Sequence, residues 1–358
     1  MSRICIIGDG SFYTLELLEN FKESQISSFT NSLILYGGNS IHLQMVEYYA
    51  RNALPNWLIQ IANDLDTALS EADIVLHQPR YGGAASRAKG EQLATRLDLP
   101  ADETLGPSGL LTAIEIAPYI ENLCDVTRRV CPSASIINLT NPLNLSKSLF
   151  RLFGNSRTVG ACELPELRHK QIAAQLNVNY KFLDWNYSGF NQRGFIFDQR
   201  REGKSVWNEF LDSLDQTTFS GVEFNTIESI SVVPTKYFSL FCESAKFHND
   251  RSAYLSKLRE SVYQELLELP LSYPLSLKKR FMPWYKCAVV PIMEALLGVS
   301  KSLITTLNVS DTSGVTRKQF YTVGRDSLTP ICMPTILQKS VSKWIKRFHV
   351  HEKCSLAT

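Results

Sequence analysis

From Ile4 to Ile7 the chain is continuously apolar. It breaks at Gly8, and from Leu15 onward the apolar positions Leu15, Leu17, Leu18 and Phe21 recur at helical spacing. This predicts a strand, a glycine turn and a helix, in that order, and the alternation continues. A strand over 32–36 leads through Gly37, Gly38 and Asn39 into a helix over 41–51, a third strand over 57–62 precedes a helix around Leu65, Leu69 and Ala72, and a fourth strand spans 74–77. Two more strands, 135–139 and 158–161, stop at polar residues, the first at Thr140-Asn141-Pro142 and the second at Cys162. Strands that alternate with helices pair in parallel and are covered on both faces. In such a sheet the ligand crevice lies beyond the carboxyl ends of the strands, so residues 8–11, 78–83, 138–144 and 162–165 are expected to line one cleft.

After about residue 170 the rhythm changes. An aromatic strand region over 180–197 is followed by helical stretches near 250–267 and 287–297. Pro270, Pro274 and Pro283 break the path between them, which places residues 278–284 on a connection able to reach the cleft. The chain therefore divides into an α/β, Rossmann-like doubly wound parallel sheet over 1–165, suited to a dinucleotide, and a C-terminal mixed α/β domain over 166–358, suited to substrate binding and oligomerisation. A homodimer or homotetramer is expected, and no internal repeat is visible.

Composition removes several function classes. With 358 residues, 44% of them apolar and 20% charged, the chain is of an ordinary globular kind. Its 37 Lys and Arg against 35 Asp and Glu leave a charge of +2, too little for a nucleic-acid binder. The apolar run 287–299 is interrupted by Pro291 and Glu294, short of a membrane span, and no signal-peptide core opens the chain, so a cytoplasmic protein is expected. The eight cysteines form no CxxC pairs and read as reduced core thiols. His349, His351 and Cys354 resemble a metal set, but a chain terminus makes a poor cage.

Gly8-x-Gly10 after a strand, with Ser11 leading into a helix, suits a pyrophosphate, because glycines let backbone N–H groups approach the anion. The carboxylate that usually accepts from the adenosine ribose is missing: Gly37 and Gly38 stand at that position, and Asn39 replaces one hydrogen bond at most. Its loss weakens NAD, opens space for a 2′-phosphate, or means that no dinucleotide binds, and no Arg or Lys nearby in sequence speaks for NADP. Arg80 and Arg87 lie beyond a strand end, where they either bind an anionic ligand group or pair with Glu91 and Glu103.

The order of motifs is more specific. Gly8-Asp9-Gly10-Ser11-Phe12-Tyr13-Thr14, Gln78-Pro79-Arg80-Tyr81-Gly82-Gly83 with Arg87 and Glu91, Glu103 to Gly109, Asn138-Leu139-Thr140-Asn141-Pro142, Cys162-Glu163-Leu164-Pro165 and Gly189-Phe190-Asn191-Gln192 together resemble glycoside hydrolase family 4 over residues 1 to about 300. The resemblance implies an NAD- and metal-dependent 6-phospho-glycosidase or α-galactosidase type of enzyme. Such an enzyme oxidises its sugar at C3, removes the C2 proton with a tyrosine, eliminates the aglycone, adds water and returns the hydride, while a divalent metal, typically manganese, polarises the C2 and C3 oxygens. It implies NAD on Gly8, Gly10, Ser11, Asn39 and Asn138, a sugar-like substrate on Arg80, Arg87, Asn141 and Gln192, Tyr285 as the base and Glu163 at the leaving group. Lys286 or Arg280 is the cation expected to activate Tyr285. Cys162 matches the metal-binding cysteine, but Gln192 stands in the place of its histidine partner, which predicts a damaged or missing metal site. Glu115 and residues 311–314 replace arginine-bearing segments associated with sugar phosphate, so an altered substrate, in a biosynthetic rather than catabolic setting, is expected.

Two other readings stand beside this one. A non-catalytic binding or regulatory protein on the same scaffold agrees with the missing ribose acid and metal histidine. A 2-hydroxy-acid dehydrogenase shares the strand-Asn-Pro feature but needs a cleft histidine, which residues 189–192 do not offer.

Overall fold

The computed structural model describes residues 2–8, 10–104, 106–235, 237–238, 250–280, 282–311 and 315–331. Asp9, Cys242, Phe281, residues 312–314, Cys332 and the tail with His349, His351 and Cys354 lie outside the described residues.

The parallel part of the sheet is the expected one. Strands β1 (Ser2–Ile7), β2 (Thr30–Tyr36), β3 (Leu58–Ile61), β4 (Ile74–His77), β5 (Ser135–Asn138) and β6 (Thr158–Gly160) lie in the order β6-β5-β4-β1-β2-β3, the dinucleotide-fold order. Their register sets the site. Ile7 is level with Tyr36 and His77, His77 with Asn138, and Asn138 with Gly160. The next residues, Gly8, Gly37, Gln78, Leu139 and Ala161, therefore leave the sheet along one edge.

The later strands are β7 (Asp184–Phe190), β8 (Arg193–Arg201), β9 (Lys204–Ser205), β10 (Val233–Pro234), β11 (Leu303–Ser310), β12 (Thr316–Gly324) and β13 (Ser327–Pro330). They extend the same sheet in antiparallel fashion, β6-β11-β12-β7-β8-β10, with β9 paired to β8 and β13 to β12. The sheet crosses residue 165 without a break. Two seams in it are narrow: β11 meets β6 through Asn308 and Gly160, and β12 meets β7 through Lys318 and Gly189.

Helix positions follow from their apolar faces and caps. In the helix Thr14–Glu23, Leu15, Leu17, Leu18 and Phe21 are fully buried, each worth about 1.5–3 kcal/mol of transfer free energy. Asn39 opens the helix Ser40–Ala53 by accepting from the His42 backbone N–H at 3.0 Å. The helix Val290–Leu297, far along the chain, shares a core with Leu15 and Leu18, which brings the preceding π-helical turn Tyr285–Val289 under the cleft. Among the described cysteines, Cys5, Cys124, Cys131 and Cys162 are buried thiols, as the sequence predicts, and Cys287 is half-buried.

Two buried polar groups govern stability here. Arg193 and Asp102, both nearly inaccessible, form an ion pair that holds the loop before the helix Pro107–Val130 against β8. Asp102→Ala leaves the guanidinium uncompensated and is expected to lower the unfolding free energy by about 3–5 kcal/mol in urea denaturation; a loss below 1 kcal/mol would show the pair to be unimportant. The second is a pair of neutral histidines. His77 is inaccessible, with Nδ1 2.8 Å from Asn138 Oδ1 and Nε2 2.9 Å from the Tyr81 hydroxyl, and burial pushes its pKa down to about 4. His169, stacked on Trp185 and bonded to the Tyr180 carbonyl at 3.0 Å, is likewise pushed down to about 4. Because the unfolded chain binds protons at about 6.5, stability held above that pH is lost as the pH falls from about 6.5 towards 4, at up to about 1.4 kcal/mol per unit per histidine. Urea midpoints should fall between pH 7 and pH 5, and fall less in His169→Gln.

Candidate active site

Beyond the carboxyl ends of the parallel strands lies a cavity of about 910 Å³. Gly8, Ser11, residues 78–83, Thr140, Asn141, Cys162 and Glu163 line it, so the four predicted segments converge. Arg280, Trp284 and Tyr285 join them from the connection expected to reach the cleft.

The glycine turn is shaped by close approach. A side-chain carbon on Gly10, at φ +69°, would sit 2.6 Å from the Leu43 backbone nitrogen, and one on Gly8 would meet Gln78 at 3.0 Å. Gly10 thus packs the turn onto the helix Ser40–Ala53, and Gly8 faces the cavity. Asn39 lines the same end together with His42, whose ring stacks on Tyr263 at 3.7 Å and 4°. The Tyr263 hydroxyl in turn donates to the Gly10 carbonyl.

A charged cluster occupies the side nearer β5 and β6. Arg80 approaches Glu103 at 3.3 Å, Arg87 pairs with Glu103 and with Glu91 at 2.9 Å, and the Asn141 amide donates to Glu103 at 3.1 Å. Of the two alternatives read from the sequence, the pairing with those carboxylates is the one present, and the arginines also line the cavity. Burial lowers Arg87 to about 10, which leaves it charged at neutral pH. Arg251 and Arg280 add two further cations to the lining. Arg280 lies over the Tyr13 ring at 4.8 Å, and both the Tyr13 hydroxyl and one Arg280 terminal nitrogen are buried without a hydrogen-bond partner.

Tyr285 is almost inaccessible, and its hydroxyl donates to Gln78 Oε1 at 2.7 Å, while Gln78 Nε2 donates to Thr14 Oγ1 at 2.9 Å. Burial pushes the phenol above its ordinary range. Lys286 does not serve it: its ammonium pairs with Glu23 on the exposed surface at 3.2 Å, because the π-helical turn carries neighbouring side chains to opposite sides.

Cys162 and Gln192 share the opposite wall. Burial pushes the Cys162 thiol up to about 12, offset in part by the charge of Lys318, which donates to the Cys162 carbonyl. Gln192, at φ +61° in the turn between β7 and β8, accepts through its side-chain oxygen from Thr104. Among the described residues no three His, Cys, Asp or Glu side chains come together as a metal set. The Glu163 carboxyl is pushed up by burial, offset in part by Lys318.

One predicted contact requires correction. Asn138 does not line the cavity: it is inaccessible, bonded to His77, to Ser146 Oγ at 2.8 Å and to the Thr140 N–H at 3.1 Å, because the last residue of a central strand points into the layer beneath the crevice. Its role is to shape the Thr140-Asn141 corner. Sequence reading missed Glu103 as a site residue, along with His42, Tyr237, Arg251, Arg259 and Tyr263. Arg251, Arg259 and Tyr263 sit on the helix Arg251–Glu268, whose composition reads as a solvated surface. His42 is the histidine that lines the cavity among the described residues, and it lies at the Asn39 end, away from Asn141.

Known proteins agree with this architecture. The family model described as family 4 glycosyl hydrolase matches residues 3–178. A probable 6-phospho-beta-glucosidase of Bacillus subtilis is 24% identical over 321 residues, 82% of this chain and 73% of that protein. The 6-phospho-beta-glucosidase of Thermotoga maritima, solved with NAD and glucose-6-phosphate, superposes with a TM-score of 0.84 at 20% identity, covering 99% of this chain and 89% of that one. A 6-phospho-alpha-glucosidase from gut microorganisms, in complex with NAD and Mn²⁺, gives 0.84 at 18% identity over 99% and 89% of the two chains. With its N-terminal half carrying the family's pattern and the whole described fold superposing on its members, the chain belongs to the family 4 glycosyl hydrolases.

Proposed function

We propose that this protein binds a nicotinamide adenine dinucleotide along the Gly8–Ser11 turn and acts on a phosphorylated or similarly anionic sugar by redox-assisted elimination. The observation that carries this reading is the convergence of the bare glycine turn, Tyr285 and the arginine–Glu103–Asn141 cluster on one cavity of about 910 Å³, at the upper end of ligand-pocket sizes. The solved relatives with NAD and glucose-6-phosphate support it.

The fit to a dinucleotide rests on Gly10, where no side chain has room, on Gly8, which faces the cavity bare, and on Ser11 and Asn39 at the lining. A bound nicotinamide would supply the hydride acceptor for this chemistry. The chain does the rest. Arg80, Arg87, Arg251 and Arg280 exceed Glu91 and Glu103 in charge, so the cavity attracts an anionic sugar. Asn141 orients a sugar hydroxyl. Glu163, whose carboxyl burial pushes above its ordinary range, is the group placed to give a proton to the leaving group. Tyr285 is the base once the ligand-filled site stabilises its phenolate, with Arg280 the lining cation on its own segment.

A divalent cation fits less well. The donors offered are a lone thiol and an amide already held by Thr104, and Mn²⁺ prefers oxygen or imidazole ligands. No step is assigned to a metal. One observation favours a binding-only protein: Gln192, standing in the place of the metal-binding histidine, keeps its amide oxygen on Thr104.

Two measurements decide. Glucose-6-phosphate incubated with the protein and NAD⁺ or NADP⁺ in D₂O should gain deuterium at C2, read by NMR, and Tyr285→Phe should slow the exchange by about a hundredfold or more; dinucleotide binding without any exchange would select the binding-only reading. For the cation, titration calorimetry should show Mn²⁺ binding strengthened by about tenfold or more in Gln192→His, whereas tight stoichiometric Mn²⁺ on the natural chain would overturn the misfit.

A further inference from the structure

In a dinucleotide fold the adenosine ribose rests beyond the end of β2, where an acidic side chain accepts from its 2′ and 3′ hydroxyls. Here β2 ends at Tyr36, and Gly37, Gly38 and Asn39 follow with no carboxylate. What the sequence neighbourhood lacks, the fold supplies from 220 positions further on, the separation of Asn39 from Arg259. The helix Arg251–Glu268 crosses this end of the cavity, tied down by the Tyr263 hydroxyl on the Gly10 carbonyl. One helical turn before Tyr263, Arg259 lines the same end as Gly38, Asn39 and His42.

Arg259 differs from the arginines at the other end. Arg80 and Arg87 are paired with Glu103 and Glu91, whereas Arg259 makes no ion pair among the described residues. Its charge reaches the wall of the pocket, where it lowers both His42 and the Tyr263 phenol relative to what burial alone would give. His42 is held below its ordinary range, first by burial and then by Arg259, so at neutral pH the positive charge here is the guanidinium. Asn39 accepts from the His42 N–H through Oδ1 and leaves its amide NH₂ without a partner among the described residues. Among the described residues this corner shows no carboxylate, and a guanidinium with a free amide donor is poorly matched to two neutral ribose hydroxyls and well matched to a phosphate, which Arg binds in a bidentate fork.

We infer that the site selects a 2′-phosphorylated dinucleotide, NADP(H) over NAD(H), with Arg259 as the phosphate-binding cation and Asn39 as a second donor to the same group. This rests on the dinucleotide reading proposed above and sharpens it.

The test is equilibrium binding by the full-length chain, read by calorimetry and by the fluorescence of Trp284 in the cavity wall. NADP⁺ is expected to bind about tenfold or more tightly than NAD⁺, the worth of one charge-assisted hydrogen bond, and the gap should narrow as salt rises. Arg259→Ala, a half-buried position, should weaken NADP⁺ by about ten- to a hundredfold and leave NAD⁺ within about twofold. Gly38→Asp should restore a ribose acceptor and reverse the preference. Equal or tighter NAD⁺ binding by the natural chain, or an Arg259→Ala loss shared equally by the two dinucleotides, would overturn the inference and leave the dinucleotide reading standing. Absence of binding by either at millimolar concentration would remove both.

Discussion

The site depends on one contact between distant parts of the chain, the hydroxyl of Tyr263 on the carbonyl of Gly10. Gly10 reaches that position because it carries no side chain: any Cβ would collide with the helix Ser40–Ala53. The bare turn thus serves two neighbours, packing on one helix and accepting from another. At the other end of the helix Arg251–Glu268, the Glu91 carboxylate accepts from the Ser252 backbone N–H at 2.9 Å and also pairs with Arg87. A helix pinned at both ends closes the cavity over the strand ends. Its pins are a dinucleotide-turn carbonyl and a member of the arginine cluster, so ligand groups at either end act on the same roof.

The arginine cluster follows from burial of unlike charges. Glu103 alone holds Arg80, Arg87 and the Asn141 amide, and a carboxylate in that position keeps the guanidinium groups ordered while the cavity is empty. An incoming anion competes with Glu103 for the same forks, which gives this end of the site charge selectivity. The wall formed by Cys162, Glu163 and Tyr237 is different in kind: all three are pushed towards their protonated forms, each chiefly by burial. One side of the cavity is cationic and the other holds protons.

Much of this was legible in the chain. The strands with continuous apolar runs, β1, β2, β4 and β5, and the polar residues that end them, fixed where the cleft had to lie, since register follows from strand ends in a parallel sheet. Tyr285 and Arg280 were reachable because prolines mark their segment as a connection. Strands β11 and β12 were not, since β11 buries Thr305, Thr306 and Asn308 beside Leu307, and its polar interior is satisfied by Glu166, a partner about 140 residues away that no local pattern discloses. Arg259 was hidden for a similar reason: on a polar helix an arginine that faces a pocket and one that faces solvent have the same sequence context. Asn138 was misplaced because a strand-end residue faces the crevice or the layer beneath it according to the pleat, a choice one position wide.

The two narrow seams in the sheet have a mechanical meaning. A ladder of four to eight paired positions resists opening cooperatively, whereas a junction carried by a single residue pair, Asn308 with Gly160 or Lys318 with Gly189, opens with the loss of few backbone bonds. The β11–β12 hairpin therefore behaves as a stave held between two stiff panels. One panel, the parallel strands, carries the glycine turn and Cys162; the other, β7 and β8, carries Gln192 and Arg193. Side chains close these seams where the backbone does not: Asn308 donates to the Gly160 carbonyl at 3.2 Å and Lys318 to the Cys162 carbonyl, so the two panels are joined beside the cavity through polar side chains.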